Sequence, residues 1–255
     1  MKKSPIGILD MNIENISILN DLAKAFPHEH FIYVYDPECP QYEGLSEEEI
    51  QLRVTKNLNY LISRQVKLIV TVSSTIVEYC RDLLEQAFVP VVNIVDSIVD
   101  EVNNRYEHKN MIFLANEYMV QANLYQKNLR YNHLYAIYSD NLNRLIKDQK
   151  MKTSDSFRLM RENMRLLLSK DVDVIVLGHV NLMLLKTEIH EFLPEADILD
   201  IGALLVEKVK AALLTVENMS MRGKQIIEIP QIASQQKADY SKILHIKRIE
   251  WKKNN

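Results

Sequence analysis

Glycine is scarce in this chain, at five among 255 residues, where an average protein would have about 7%. Close approach of a backbone to a phosphate usually requires glycine. No GxGxxG or P-loop spacing occurs, so nucleotide binding by those routes is unsupported. Cysteine is rarer still. Cys39 and Cys80 have neither metal nor redox spacing, and so few cysteines in a chain this long fit a reducing cytoplasm better than a disulfide scaffold. No apolar run approaches the roughly 18 residues that argue for a membrane span. Asp10 breaks the apolar stretch after the basic start, which argues against a signal peptide, and a cytoplasmic protein with no membrane contact is expected. A net charge of −3 gives no electrostatic footprint for nucleic acid, and the basic residues near the end, Lys247, Arg248, Lys252 and Lys253, read as a solvated terminus. His28 and His30 stand two apart with no third ligand in sequence, so no metal site is expected.

What the chain does have is a core-forming composition, 47% hydrophobic with 25% charged, and two matching segments. Lys67-Leu-Ile-Val-Thr-Val-Ser-Ser-Thr75 and Asp173-Val-Ile-Val-Leu-Gly-His-Val-Asn181 are each a β-branched run that ends in small or polar residues before a helix-like stretch. In open α/β sheets chemistry collects at the carboxyl ends of strands. The loop tips Ser73, Ser74 and Thr75, and Gly178, His179, Val180 and Asn181, are therefore the first candidates for a site.

Strands alternate with helices almost from end to end, which predicts an α/β protein with mainly parallel sheets. Strands are expected at Ile6–Leu9, Phe31–Val34, Leu68–Val72, Val91–Ile94, Met111–Ala115, Leu134–Ile137, Val174–Leu177 and Ile198–Leu199. Helices are expected at Ile16–Ala25, from Ser46 to about Arg64, at Ile76–Gln86, Val95–Arg105 and Tyr118–Leu129, across Ser139–Ser169 with a break near Met151–Ser154, and at Ala203–Val216. Ser46 before Glu47, Glu48 and Glu49 is a strong helix start, a capping hydroxyl with acidic residues on the positive helix end. Near the end, Gln225–Ile229 and Lys242–Ile249 alternate as a terminal strand pair would.

The order of these elements and the loop tips together resemble the glutamate racemase family, within the aspartate/glutamate racemase superfamily. The resemblance spans most of the chain. Its residues are Pro5-Ile-Gly-Ile-Leu-Asp10 with Ile18-Leu19, then Phe26-Pro27-His28-Glu29 with Ile32-Tyr33 and Asp36, the loop Pro40-Gln-Tyr-Glu-Gly44, Tyr125-Gln126, Val176-Leu-Gly178 with Leu184-Leu185, and Asp200 with Gly202. It implies an aspartate/glutamate racemase-like fold of two pseudo-twofold related domains. The first takes residues 1–93 plus 205–255, and the second takes 94–204. It also implies cofactor-free proton exchange at an amino-acid α-carbon between two thiols, so no cofactor is expected.

In this chain both thiol positions have changed. Where the family reads Cys-Asn-Thr, Ser73-Ser74-Thr75 stand, and where it reads Gly-Cys-Thr-His-Tyr-Pro, Gly178-His179-Val180-Asn181-Leu182-Met183 stand. The family's Asp-Ser-Gly after the first strand reads Asp10-Met11-Asn12, which keeps only the carboxylate that assists one thiol. The Thr and Ser of a second-domain stretch fall near Met119 and Ala122. Polar groups at these places hold the α-amino and carboxylate groups, and their loss would leave a glutamate charge partly unpaired. The resemblance thus implies a catalytically degraded homologue that binds a small amino-acid-like or carboxylate ligand, or a protein partner, as some relatives bind DNA gyrase. The alternative is an enzyme of altered one-base chemistry, with His179 as acid/base and Asp10 as support. Ser73, His179 and Asp10 are the candidate catalytic residues. Met11, Asn12, Tyr42, Ser74, Thr75, Val180 and Asn181 are the candidate ligand contacts.

Ser73, His179 and Asp10 could also mimic an acyl-transfer triad, but positions that flank a substrate carbon stand too far apart for a nucleophile–base hydrogen bond. Each candidate has a plainer reading too. His179 could fill space and bond a backbone group, Asp10 and Asp36 could cap turns after their strands, Cys80 could be core packing, and Cys39 an inert loop thiol. Tyr118, Tyr125, Tyr131, Tyr135 and Tyr138 form an aromatic cluster of a kind found at interfaces and on half-buried surfaces alike. Family members commonly form homodimers, so a homodimer is expected.

Overall fold

The computed structural model describes residues 3–38, 44–230, 237, 240–246 and 249–252. It is an α/β protein with two parallel sheets, as the alternation predicts. The chain divides into two compact units, residues 1–97 with 202–255, and residues 98–201.

The first unit holds a six-stranded sheet built from β1 (Ile6–Leu9), β2 (His30–Val34), β3 (Leu68–Thr71), β4 (Val91–Asn93), β9 (Ile226–Pro230) and β10 (Glu250–Lys252), in the order β10-β9-β2-β1-β3-β4. Every pairing in it is parallel. β1 and β3 are buried at every residue, as expected of parallel strands covered on both faces. Helix α1 (Ile18–Ala25) follows a 3-10 turn at Ile13–Asn15, so the helix expected from Ile16 begins two residues later.

Helix α2 (Glu47–Ser63) follows Ser46, whose side chain accepts from the Glu49 amide while the Glu49 carboxylate accepts from the Ser46 amide. Its stripe of Ile50, Val54, Leu58 and Leu61 is buried. At Gly7 a Cβ would stand 2.9 Å from the Leu61 methyls, so glycine permits α2 to close on β1.

The helix expected over Ile76–Gln86 is two helices, α3 (Ser74–Tyr79) and α4 (Arg81–Glu85), broken where Cys80 leaves helical geometry at φ −128°, ψ 23°. The side-chain amide of Gln51 donates to the Tyr79 carbonyl at 2.9 Å, which satisfies an acceptor at the break. No local pattern announces that partner, which comes from α2. α5 (Ile94–Arg105) leads out of the first unit and α10 (Ile201–Thr215) leads back.

The terminal strand pair needs correction. β9 forms, but Ser241–Ile243 is a turn in which the Ile243 and Leu244 amides donate to the Tyr240 carbonyl. The strand beside β9 is Glu250–Lys252, and it runs parallel to β9; within the expected Lys242–Ile249, Lys247 and Arg248 lie outside the described residues. A parallel neighbour requires a crossover, not a hairpin.

The second unit holds β5 (Lys109–Ala115), β6 (Tyr131–Tyr138), β7 (Val174–Leu177) and β8 (Asp197–Ile198) in the order β6-β5-β7-β8, again all parallel. α6 (Glu117–Ala122) is shorter than the expected Tyr118–Leu129, because Asn123 takes the left-handed conformation at φ 59° and ends it. Asparagine is one of the few non-glycine residues that does so readily. α7 (Asp140–Lys147) and α8 (Ser154–Met164) are separated where the sequence predicts a break, and a capping box at Thr153 and Ser156 starts α8. α9 (Lys186–Phe192) precedes β8. Among the described residues no helix is long and apolar enough to cross a membrane.

Candidate functional site

Residue register gathers the first group of candidates. β1 lies between β2 and β3, with Leu9 level with Val34 and Thr71. Asp10, Met11 and Asn12 therefore leave the sheet beside Ser73, Ser74 and Thr75, all at the carboxyl edge. Backbone bonds fix that edge: Asp10 N donates to Val34 O at 2.9 Å, and Val72 N to Leu9 O at 3.2 Å.

Asp10 is the electrostatic centre of the group, at 1% exposure. Its carboxylate accepts from the Met11 amide at 2.8 Å, from the Asn15 amide and side chain at 3.3 Å each, and from the Tyr33 hydroxyl at 2.6 Å. Burial pushes its pKa up to about 7, and these donors oppose the rise without cancelling it. Asp10 thus carries a proton that is exchangeable near neutrality. Two of the residues that hold it, Asn15 and Tyr33, have no site role in the sequence reading. Tyr33 pairs with Ile8, two residues before Asp10 and on the same face of β1, so correct strand order would have pointed to it.

Ser73 is the N-cap of α3, extended at φ −106°, ψ 121°, and its hydroxyl accepts from the Ile76 amide at 3.5 Å. Ser73 and Thr75 are buried, and Ser74 is half-buried. Met11 is core, at 1% exposure, and Asn12 is half-buried in the bend after β1. Tyr42 and Cys39 lie outside the described residues. Cys80 is buried at the end of α3, and burial, with the Glu47 carboxylate second, pushes its thiol up to about 11.

The second group stands at the carboxyl edge of the other sheet. Gly178 N donates to Leu114 O at 2.8 Å, and at Gly178 a Cβ would come within 2.5 Å of the Ala115 Cβ. Glycine lets the turn after β7 press against the end of β5. His179 follows in extended geometry and precedes the 3-10 helix Val180–Leu185, to which its ring gives no capping bond. It is half-buried, whereas Val180, Asn181 and Leu182 are buried. Close by, Asn116 caps α6 by accepting from the Met119 amide at 2.8 Å, and Met119 is buried. Asp10 and Ser73 belong to one unit and His179 to the other. Among the described residues no cluster of three or more His, Cys, Asp or Glu could hold a metal ion.

Against known proteins, residues 14–209 match the family model described as Asp/Glu/Hydantoin racemase. Glutamate racemase of Lactococcus lactis subsp. lactis is 22% identical over 231 residues, 88% of this chain and 84% of that protein. Among solved structures, glutamate racemase from Thermus thermophilus in complex with beta-chloro-D-alanine superposes with a TM-score of 0.87 at 19% identity, covering 100% of this chain and 98% of that one. Glutamate racemase from Francisella tularensis subsp. tularensis in complex with D-glutamate gives 0.81 at 17%, with the same coverage.

Proposed function

The chain belongs to the Asp/Glu/Hydantoin racemase family, and from that premise we propose that it is a binding or regulatory protein that does not racemize glutamate by two-thiol chemistry. The observation that carries this reading is the state of the first loop tip. Where the resemblance calls for a thiol, Ser73 offers a hydroxyl that caps its own helix. A serine hydroxyl has no useful acidity near neutral pH, and that of Ser73 is engaged with the Ile76 amide. The thiol of Cys80 cannot take over, because burial keeps it protonated at neutral pH.

The apolar replacements support the same reading. Two solved relatives hold beta-chloro-D-alanine and D-glutamate, ligands that each carry an amino and a carboxylate group. In this chain Met11 and Val180 are buried at the loop tips and offer such charges no partner, and leaving a charge unpaired on binding is costly. The role that follows is regulatory, exerted through a weakly charged ligand or through a protein partner.

One observation favours a second reading. With its pKa near 7, Asp10 is suited to general acid–base work, and His179 supplies an imidazole at the other loop tip. On that reading the protein is a cofactor-independent isomerase of the same superfamily that uses one base.

Proton exchange at the α-carbon in deuterated water separates the two. Purified protein is incubated with D- and L-glutamate, D- and L-aspartate and a panel of other amino and α-substituted acids, beside His179→Ala and Asp10→Asn. The expected result is no deuterium incorporation from any of them. Incorporation that either substitution abolishes would replace the binding-protein reading with the one-base enzyme.

A further inference from the structure

The first sheet carries Asp10 and Ser73 at the carboxyl ends of its strands, and the amino ends of the same strands form a second concave surface. Ser4 stands just ahead of β1, Lys67 directly before β3 and Pro90 directly before β4, and these strands are neighbours in the order β1-β3-β4. Backbone bonds tie the strand entries together: Lys67 N donates to Pro5 O at 2.8 Å, and Ile69 N to Pro90 O at 3.0 Å. The end of α2 and the segment after α10 complete the walls, and a cavity of about 480 Å³ lies among them. That volume falls in the range of small-molecule sites, about 300–1,000 Å³.

One wall is apolar and open to water. Phe88 is 97% exposed and Ile62 40%, and the partly exposed Val89 and exposed Pro90 continue the surface. Single exposed apolar residues are ordinary, but here four border one cavity.

The floor is polar but has no charge to offer. The side chains of Lys67 and Glu29 are each 1% exposed and stand 2.6 Å apart. The Lys67 ammonium also donates to the Asn218 carbonyl at 2.7 Å and to the Ser220 hydroxyl at 3.3 Å, so its three hydrogens have three acceptors. The other Glu29 oxygen accepts from the Ser220 amide at 2.7 Å. No carboxylate lines the cavity. Its remaining polar side chains include the Ser4 hydroxyl and the Gln65 amide, both neutral.

We propose that this cavity binds a small uncharged ligand that has an apolar ring body and one hydrogen-bonding head group. The ring covers Phe88 and Ile62, and the head group bonds to Ser4 or Gln65. A carboxylate or ammonium on the ligand would give up water and gain no counter-charge, which is costly. The whole of β3 separates Lys67 from the turn at Ser73, so this ligand leaves the loop tips unoccupied. The proposal does not depend on whether those loop tips are catalytic.

Titration of the isotope-labelled full chain with probes that share one ring system and differ in charge tests it, with amide chemical shifts as the readout. Naphthylacetamide is neutral, naphthylacetate is an anion and naphthylethylamine is a cation. Naphthylacetamide is expected to shift the amides of Ile62, Gln65, Val66, Phe88 and Val89 in a saturable way. The two charged probes are expected to bind at least about tenfold more weakly. Phe88→Ser, which changes a side chain that packs on nothing, should keep the fold and weaken naphthylacetamide severalfold. Leu166→Ser, at a residue of the second unit that is 75% exposed, should bind it like wild type. Absence of saturable shifts, a charged probe that binds as tightly as the neutral one, unchanged binding by Phe88→Ser, or shifts gathered around Asp10 and Ser73 instead would each overturn the proposal.

Discussion

The turn after β3 in the first unit and the turn after β7 in the second follow one plan, a four-residue buried parallel strand that passes through a tight turn into a helix. Different forces lock them. The first is held by polar groups: Ser73 caps α3, and neighbouring Asp10 is clasped by donors from Met11, Asn15 and Tyr33. The second is held by shape. Gly178 presses on Ala115, and the buried Val180 and Leu182 anchor a 3-10 helix with no side-chain cap. A shared backbone plan therefore does not imply a shared sensitivity. The first turn should respond to pH and to loss of a hydroxyl, and the second to added volume.

The largest expected effect is on the polar side. Asp10 has an ordinary value of 3.8 and about 7 in the fold, so the native state keeps its proton where the unfolded chain has lost it. Its contribution is most favourable below about pH 4 and is lost as pH rises through about 7, an upper bound of about 4 kcal/mol. Denaturant titrations of wild type and Asp10→Asn at pH 5 and pH 8 should show the variant gaining on wild type at the higher pH. Equal differences at both values would mean that Asp10 does not titrate in this window.

Next comes Gly178→Ala. The new methyl meets the Cβ and Cα of Ala115 in β5, which cannot swing aside, so a loss of about 1–3 kcal/mol is expected. Gly7→Ala should cost less, since the Leu61 methyls it meets belong to a flexible side chain. Should the two prove equal in thermal melts, steric closure would not set the second turn apart.

Ser73→Ala comes third, with an expected loss of about 1 kcal/mol or less, because the cap bond is long at 3.5 Å. A stability unchanged by this substitution would mean that the hydroxyl does not hold the turn and is free for another task.

The smallest expected effect is none at all. Ser73→Cys combined with His179→Cys puts thiols back on both turns but leaves Met11 and Val180 in place. Deuterium exchange on glutamate should remain absent. Its appearance would show that the two thiols suffice and that the apolar neighbours do not decide.

Much of the scaffold could be read from the residues. β1 and β7 occur at their expected limits because each is a short, largely apolar run bounded by turn or polar residues. α2 begins at Ser46 because hydroxyl, carboxylate and spacing all act within one turn. The placement of Ser73 and His179 at strand ends is legible for the same reason. What escaped notice depends on contacts distant in sequence. Tyr33 reaches Asp10 across 23 residues, and Gln51 meets the carbonyl at the α3–α4 break across 28. The end of α6 was a local signal overlooked, since Asn123 supplies its left-handed residue itself.

The sequence by itself determined the alternation of strands and helices, the caps that start them and the residue types at the two turns, because periodicity and capping act over a few neighbouring residues. Only the tertiary structure decided that Asp10 would be buried among donors with its pKa raised to about 7, that Glu250–Lys252 would line up beside β9, and that β6 would be left as an open edge. Those outcomes depend on which strands become neighbours and how much water they exclude, and no stretch of chain specifies either one alone.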